Sequence, residues 1–306
     1  MPDLIARLLY VMATLLARLP WRWLLRLGDA MAAWWLRRDA RESSIAMRNL
    51  ELACPGLSPD KRAQLRQSVL RTTARQALET LRLWTRPHAE NLALIREHHG
   101  IGRFDAALAS GHGLIIAAPH YGNWELLNQW LAMRTPIAVL YRAPQSASGD
   151  AFLRRVRADD HDRVTQVRAE GVGIRQLFKR LQGGGVVGIL PDQQPKAGDG
   201  AFAPFFGVQA WTMTLLSRLA ARTGATVLFA FCERIGDGPD FALHVQAAPA
   251  EIASDDLHVA ATALNAAVEA IARRDLAQYQ WTYKRYTLRP PGSGETNPYR
   301  DLELGR

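Results

Sequence analysis

Cysteine is nearly absent from this chain of 306 residues: Cys54 and Cys232 stand far apart, with no C-x-x-C. A disulfide framework or a zinc site therefore has no support, and a reducing compartment is the simpler expectation. Lysine is almost as scarce, at positions 61, 179, 196 and 284, so the 38 basic residues are nearly all arginine. Long apolar runs are missing too. The longest uncharged stretch near the N-terminus, 8–17, is about half of the ~20 residues a membrane-spanning helix needs. No secretory leader is expected, because Asp3 comes first and the apolar character continues past residue 30. There is no G-x-S-x-G, no G-x-x-x-x-G-K-[ST] and no H-E-x-x-H, so a serine-hydrolase elbow, a phosphate loop and a zinc-protease helix have no basis. GGGVVG at 183–188 has the form G-x-G-x-x-G. It follows an expected helix and leads into an expected strand, the reverse of the dinucleotide-binding order. His98 and His99 are adjacent, which does not aim two rings at one metal, and they read as surface histidines.

What is present is a globular composition, 48% hydrophobic and 22% charged, in a chain long enough for one large domain or two. Formal net charge is +9, and residues 1–100 hold 16 Lys+Arg against 9 Asp+Glu. A basic excess so localised points to an anionic partner, a membrane surface or nucleic acid. Within 4–36, Arg18, Arg22 and Arg26 recur every four residues among Trp21, Trp23, Leu24 and Leu27. This suits a helix lying in a membrane interface, or else a helix packed on the core with its arginines in water. Four tryptophans in this segment favour the membrane. Nucleic acid is disfavoured, since the charge lies among leucine and tryptophan and no binding module is recognisable.

Ser58, Pro59 and Asp60 form a helix start, with Leu65, Val69, Ala77 and Leu81 following at helical spacing. From residue 101 the pattern alternates. Apolar runs at 113–119, 136–141, 185–190 and 225–234 read as strands, and 123–133, 171–182 and 209–222 as helices between them. The segment 241–246 is expected to pair antiparallel with 225–234, and 256–273 to form a last helix. This order implies an α/β fold with a mostly parallel central sheet flanked by helices, preceded by an N-terminal helical region.

In such sheets ligands collect at the carboxyl ends of the strands, and His120 stands there, in HYGNWE. With Gly122 in the turn and Asn123 capping the next helix, Glu125 falls in its first turn, where strand, turn and helix can bring it back toward His120. A carboxylate against an imidazole makes a general base. The alternative is a histidine merely hydrogen-bonded at a strand end beside a glutamate that complements the helix dipole. Without a nucleophilic Ser or Cys in evidence, such a pair would activate a hydroxyl of the substrate.

HYGNWE resembles the H-x-x-x-x-[DE] motif of glycerolipid-type acyltransferases, and its H-x-G-N-W-E form is similar to the late acyltransferases of bacterial lipid A biosynthesis, the lauroyl/myristoyl group. The resemblance extends to RNLELACPGLS, LYRAP at 140–144, LPDQQP at 190–195, FAPFFG at 202–207, LSRLAARTGA and QYQWTYKRYTLRP at 278–290. It departs at Leu276, where the family usually has proline, and at Tyr283, where it has histidine; neither is expected to touch the chemistry. The resemblance implies His120 as general base and Glu125 as its support. Acyl carrier protein would bring the acyl chain as a thioester co-substrate, with no metal and no other cofactor. The acceptor would be a 3-hydroxyacyl chain of a lipid A precursor, an anionic phosphorylated glucosamine disaccharide of the Kdo-lipid IVA type, at the cytoplasmic face of the bacterial inner membrane. Asn123 would aid the oxyanion or fix the turn. Arg142 and Arg168 would contact phosphate or oxyanion, Asp192 and Gln193 would bind acceptor or order an arginine, and Phe202, Phe205 and Phe206 would wall the acyl channel or pack in the core. The chain then divides into a membrane-associating segment 1–40, an acyltransferase domain 41–290 and a flexible tail 291–306. Three alternatives stay open: a different membrane-lipid acceptor, hydrolysis of the acyl thioester, and a basic membrane-binding protein without activity.

Overall fold

The computed structural model describes residues 2–141, 146–157 and 163–304. The N-terminal region is helical. Helices α1 (Pro2–Leu16) and α2 (Trp21–Arg37) are bent by 113° at their junction. The arginine stripe is thereby split, because Arg18 lies in the connecting turn ahead of Pro20 while Arg22 and Arg26 stay on α2. Helix α1 buries Ala6 and Ala13 and turns Leu4, Leu8, Val11, Met12 and Leu15 outward. Among the described residues no single helix is long and apolar enough to cross a membrane; α1 and α2 reach that length and composition only as the bent pair.

Helix α2 packs closely on α4 (Pro59–Leu83), so closely that a Cβ on Gly28 would lie 2.9 Å from the Arg75 backbone. Asp29 of α2 accepts from Arg75 and Arg71 of α4 across that contact. Ser58 caps α4 as its sequence implies, accepting from the Lys61 N–H. Between these two helices comes α3 (Arg41–Ala53), and after α4 the short α5 (His88–Leu92).

The rest alternates: β1 (Ile95–His99), α6 (Ile101–Ser110), β2 (Leu114–Ala117), α7 (Trp124–Arg134), β3 (Ile137–Tyr141), α8 (Ala147–Arg157), β4 (Val164–Arg168), α9 (Gly171–Gln182) and β5 (Val186–Ile189). An antiparallel hairpin of β6 (Gly200–Phe205) and β7 (Val208–Met213) follows, then α10 (Leu215–Thr223), β8 (Thr226–Ile235), β9 (Asp240–Ala247), α11 (Leu257–Ala272) and α12 (Arg300–Leu304). The seven-stranded sheet has the order β1-β9-β8-β2-β5-β3-β4, and all its pairings are parallel except β8 with β9. The central strands β2 and β5 are buried along their whole length, as continuous apolar runs demand. One apolar layer, with α6 and α7, covers one face; α9, α10, α11 and the α2–α4 group cover the other.

One expectation fails here. The helix expected over 209–222 starts only at Leu215, because 208–213 alternate, Ala210 and Thr212 buried and Gln209 and Trp211 half-buried, which is a strand's period. The segment 291–298 has no helix or strand, and beyond it Tyr299 is fully buried with its hydroxyl on Asn49 of α3, while Arg48 of α3 pairs with Asp301.

Candidate active site

The chain leaves β2 with the Ala118 N–H still bonded to Ile189 O of β5 at 2.9 Å, then turns sharply. Three hydrogen bonds clamp the turn. Gly122 N–H donates to Gln278 O (3.1 Å), Asn123 N–H to Cys232 O (2.8 Å) and Gln280 N–H to His120 O (3.0 Å), the first and last together making an antiparallel bridge between Tyr121 and Tyr279. Gly122 has φ +60°, and a Cβ there would meet Cys232 O at 2.0 Å, so glycine is required both for its dihedral and for space. Asn123 caps α7, its Oδ1 accepting from the Leu126 N–H at 3.0 Å. Its amide lies against Glu79, which Arg234 pairs. Burial pushes the Glu79 carboxyl up despite that pairing.

His120, 9% exposed, is held by one carboxylate at two points: Nδ1 lies 2.7 Å from Asp192 Oδ1, and its backbone N–H donates to Asp192 Oδ2 at 2.9 Å. Burial raises the Asp192 carboxyl, but the His120 charge and hydrogen bonds outweigh it and leave the group below the usual carboxylate range. An ionised carboxylate only accepts, so Nδ1 carries a proton, and in the neutral imidazole the lone pair then lies on Nε2. Nε2 is 3.1 Å from Gln193 Nε2, which also donates to Gln280 Oε1 at 3.2 Å. Trp124 packs edge-on to the imidazole at 4.9 Å between ring centroids. Tyr279 is buried beside Asp192, and burial together with that negative charge pushes its hydroxyl well above the ordinary value.

This corrects the sequence expectation in one central respect. The carboxylate on His120 Nδ1 is Asp192, not Glu125. The two strands β2 and β5 are parallel neighbours, so the loops at their carboxyl ends meet, and Asp192 reaches the ring across the sheet edge. Glu125 sits in the first turn of α7, accepts from Trp84 Nε1 at 3.1 Å and lines the same cavity as His120. Gln193 faces His120, and Arg168 lines the cavity farther out, bonded to Asp150 at 3.0 Å. Arg142 lies outside the described residues. Phe205 and Phe206 are core residues, and Phe202 packs on Trp211 in the hairpin; none of the three lines the cavity, whose aromatic walls are Trp124, Tyr141 and Phe178. Tyr283 does bear on the site, because its hydroxyl accepts from the Gln194 N–H at 3.0 Å and so fixes the loop that carries Asp192 and Gln193. Sequence reasoning missed Trp84, Gln278 and Gln280 as supports; the last two fall within QYQWTYKRYTLRP, which marked the segment without revealing what it clamps.

Beside the imidazole opens a cavity of about 1080 Å³ that passes over the carboxyl edge of the sheet. On the α7 side it is apolar, with Ile116, Leu127, Leu131, Ile137, Val139 and Leu153. On the α9–α10 side it carries Arg175, Lys179, Arg218 and Arg222, none paired with a carboxylate among the described residues. No cluster of three or more His, Cys, Asp or Glu among the described residues is placed to hold a metal.

The site is thus a histidine held by a carboxylate and lining a cavity with an apolar side and a cationic side, on an α/β fold. The chain belongs to the bacterial lipid A biosynthesis acyltransferase family, whose profile matches residues 3–287. It is 26% identical to the lipid A biosynthesis lauroyltransferase of Escherichia coli K12 over 279 residues, 91% of this chain and 90% of that one. To the lipid A biosynthesis palmitoleoyltransferase of the same strain it is 25% identical over 279 residues, 90% and 88% of the two chains. A phosphatidylinositol mannoside acyltransferase of Mycobacterium tuberculosis H37Rv is 28% identical over 147 residues, 47% of this chain and 46% of that one.

Proposed function

We propose that the protein transfers a fatty acyl chain from its thioester on acyl carrier protein to the hydroxyl of a 3-hydroxyacyl chain on a lipid A precursor of the Kdo-lipid IVA type. The observation that carries this reading is that His120 lines the cavity while Asp192 holds its Nδ1. Nε2 takes the hydroxyl proton as the oxygen attacks the thioester carbonyl, and Asp192 stabilises the imidazolium. The tetrahedral intermediate collapses, the C–S bond breaks, and the imidazolium returns its proton to the leaving thiolate. The products are an ester and a free thiol, with no covalent enzyme intermediate. Glu125, anchored by Trp84, adds negative charge to the cavity near the imidazolium.

The unpaired cations on the α9–α10 side, with Arg168, suit the phosphates of the acceptor. The outward apolar face of α1, where Leu4 is 71% and Leu8 60% exposed, suits insertion into a lipid surface, and this supports a reading in which the enzyme works at the cytoplasmic face of the inner membrane. A second acceptor class, another membrane glycolipid, is favoured by the partial likeness to the phosphatidylinositol mannoside acyltransferase. Mass analysis tests the choice. Purified enzyme, lauroyl- or myristoyl-loaded acyl carrier protein and a lipid A precursor should give one added secondary ester. The matched precursor lacking the target 3-hydroxyl should gain nothing, and free fatty acid released regardless of acceptor would mean hydrolysis instead.

A further inference from the structure

Strand β5 carries a glycine, Gly188, at a fully buried position between two parallel neighbours. Its register partners are Ile116 on β2 and Val139 on β3. Glycine is unfavourable inside a central strand, and its presence there commonly marks a place where something else approaches the backbone. Its face is that of α7, and a Cβ at 188 would point over the sheet toward Ile137 Cδ1 at 3.3 Å and Val139 Cγ2 at 3.6 Å. No α7 atom is among the nearest, and no backbone atom either. The dihedral is not left-handed, so the backbone does not require glycine. What the missing side chain leaves open is the apolar limb of the cavity, which Gly188 lines together with Ile116, Ile137 and Val139. Leu114 and Val186, the next residues on this face toward the amino ends of β2 and β5, are buried and do not line it. On β3 and β4, at the level of Val186, Ile137 and Val164 still line it, so the limb passes Gly188 and continues on that side of the sheet.

We propose that Gly188 is a specificity-determining residue: the gap above its Cα is the passage to the deepest part of the acyl-chain site, beside Ile137 and Val164, and the absence of a side chain there keeps that part open to the longest chains. This rests on the acyl-transfer reading but not on the identity of the acceptor. A side chain at 188 would narrow that passage and exclude the terminal methylenes of a long chain while leaving a short one untouched.

The test compares wild type with Gly188→Ala and Gly188→Leu on acyl carrier protein loaded with octanoyl, decanoyl, lauroyl, myristoyl and palmitoyl chains. Gly188→Leu should lower kcat/KM for the longest chains relative to octanoyl on the order of ten- to a hundred-fold, with a smaller shift for Gly188→Ala. Thermal melting should show Gly188→Ala at least as stable as wild type, since it removes a glycine from a strand with only flexible side chains nearby. Equal loss for all lengths, or an unchanged length profile in folded Gly188→Leu, overturns the proposal. A parallel measurement, displacement of a fluorescent fatty acid by octanoate through palmitate, needs no acceptor. Selective loss of the long fatty acids in Gly188→Leu, alongside no transfer to lipid A precursor by wild type, would retain Gly188 and reject the acceptor. Transfer with an unchanged displacement profile would do the opposite.

Discussion

The Asp192 carboxylate holds His120 twice, through Nδ1 at 2.7 Å and through the backbone N–H at 2.9 Å, so side chain and main chain of the histidine are fixed by one group. The orientation of the imidazole is thus a property of the contact between two parallel strands, not of the HYGNWE turn alone.

Asp192→Asn should therefore lower acyl transfer by about 10²- to 10⁴-fold, because an amide can donate to Nδ1 and select the wrong tautomer. The readout is the pH dependence of kcat/KM as well as its size. A purely structural role for Asp192 would lower the amount of folded enzyme and leave the pH profile of the remainder unchanged.

The same residue makes a statement about stability. Its folded-state pKa is depressed, so its contribution is complete above the ordinary carboxylate range and is lost as pH falls through the depressed value. Melting temperature measured from neutral to acidic pH should fall more steeply for wild type than for Asp192→Asn over that acidic window. Parallel curves would remove the His120–Asp192 pair from the stability account.

Gly122→Ala should damage the fold itself. The positive φ and the 2.0 Å approach to Cys232 O force the turn to move, with a cost above about 2 kcal/mol. Denaturant unfolding checks this, and a wild-type midpoint would show that the turn has room the geometry denies it.

Much of this was legible in the sequence, for identifiable reasons. Central strands buried on both faces, such as LIIA of β2 and VVGI of β5, announce themselves as apolar runs, and Ser58 and Asn123 are caps by residue type. The short edge strands β1 and β4, half exposed and rich in polar residues, carry no such signal and were not expected. Asp192 was expected at the sheet edge but given another partner. Spacing along the chain favours Glu125, five residues from His120, whereas the pairing to Asp192 spans 72 residues and depends on which strands become neighbours. Local sequence does not contain strand order.

Membrane attachment has its own test. Leu8→Asp with Met12→Asp places charge on the exposed apolar face of α1, where the two side chains are 60% and 59% exposed, without touching its buried alanines. In flotation with anionic vesicles this variant should be released, whereas high salt alone should weaken wild-type binding only partly, since screening removes the Coulomb attraction and leaves apolar insertion. Flotation equal to wild type would place the attachment elsewhere.

The most direct measurement is the transfer rate of purified, folded His120→Ala with acyl carrier protein thioester and a hydroxylated lipid A precursor, followed by mass. Removal of the general base should cost about 10²- to 10⁴-fold in rate, roughly 3 to 5 kcal/mol of barrier. A wild-type rate from that protein would contradict the assignment of His120 as the group that takes the acceptor's proton.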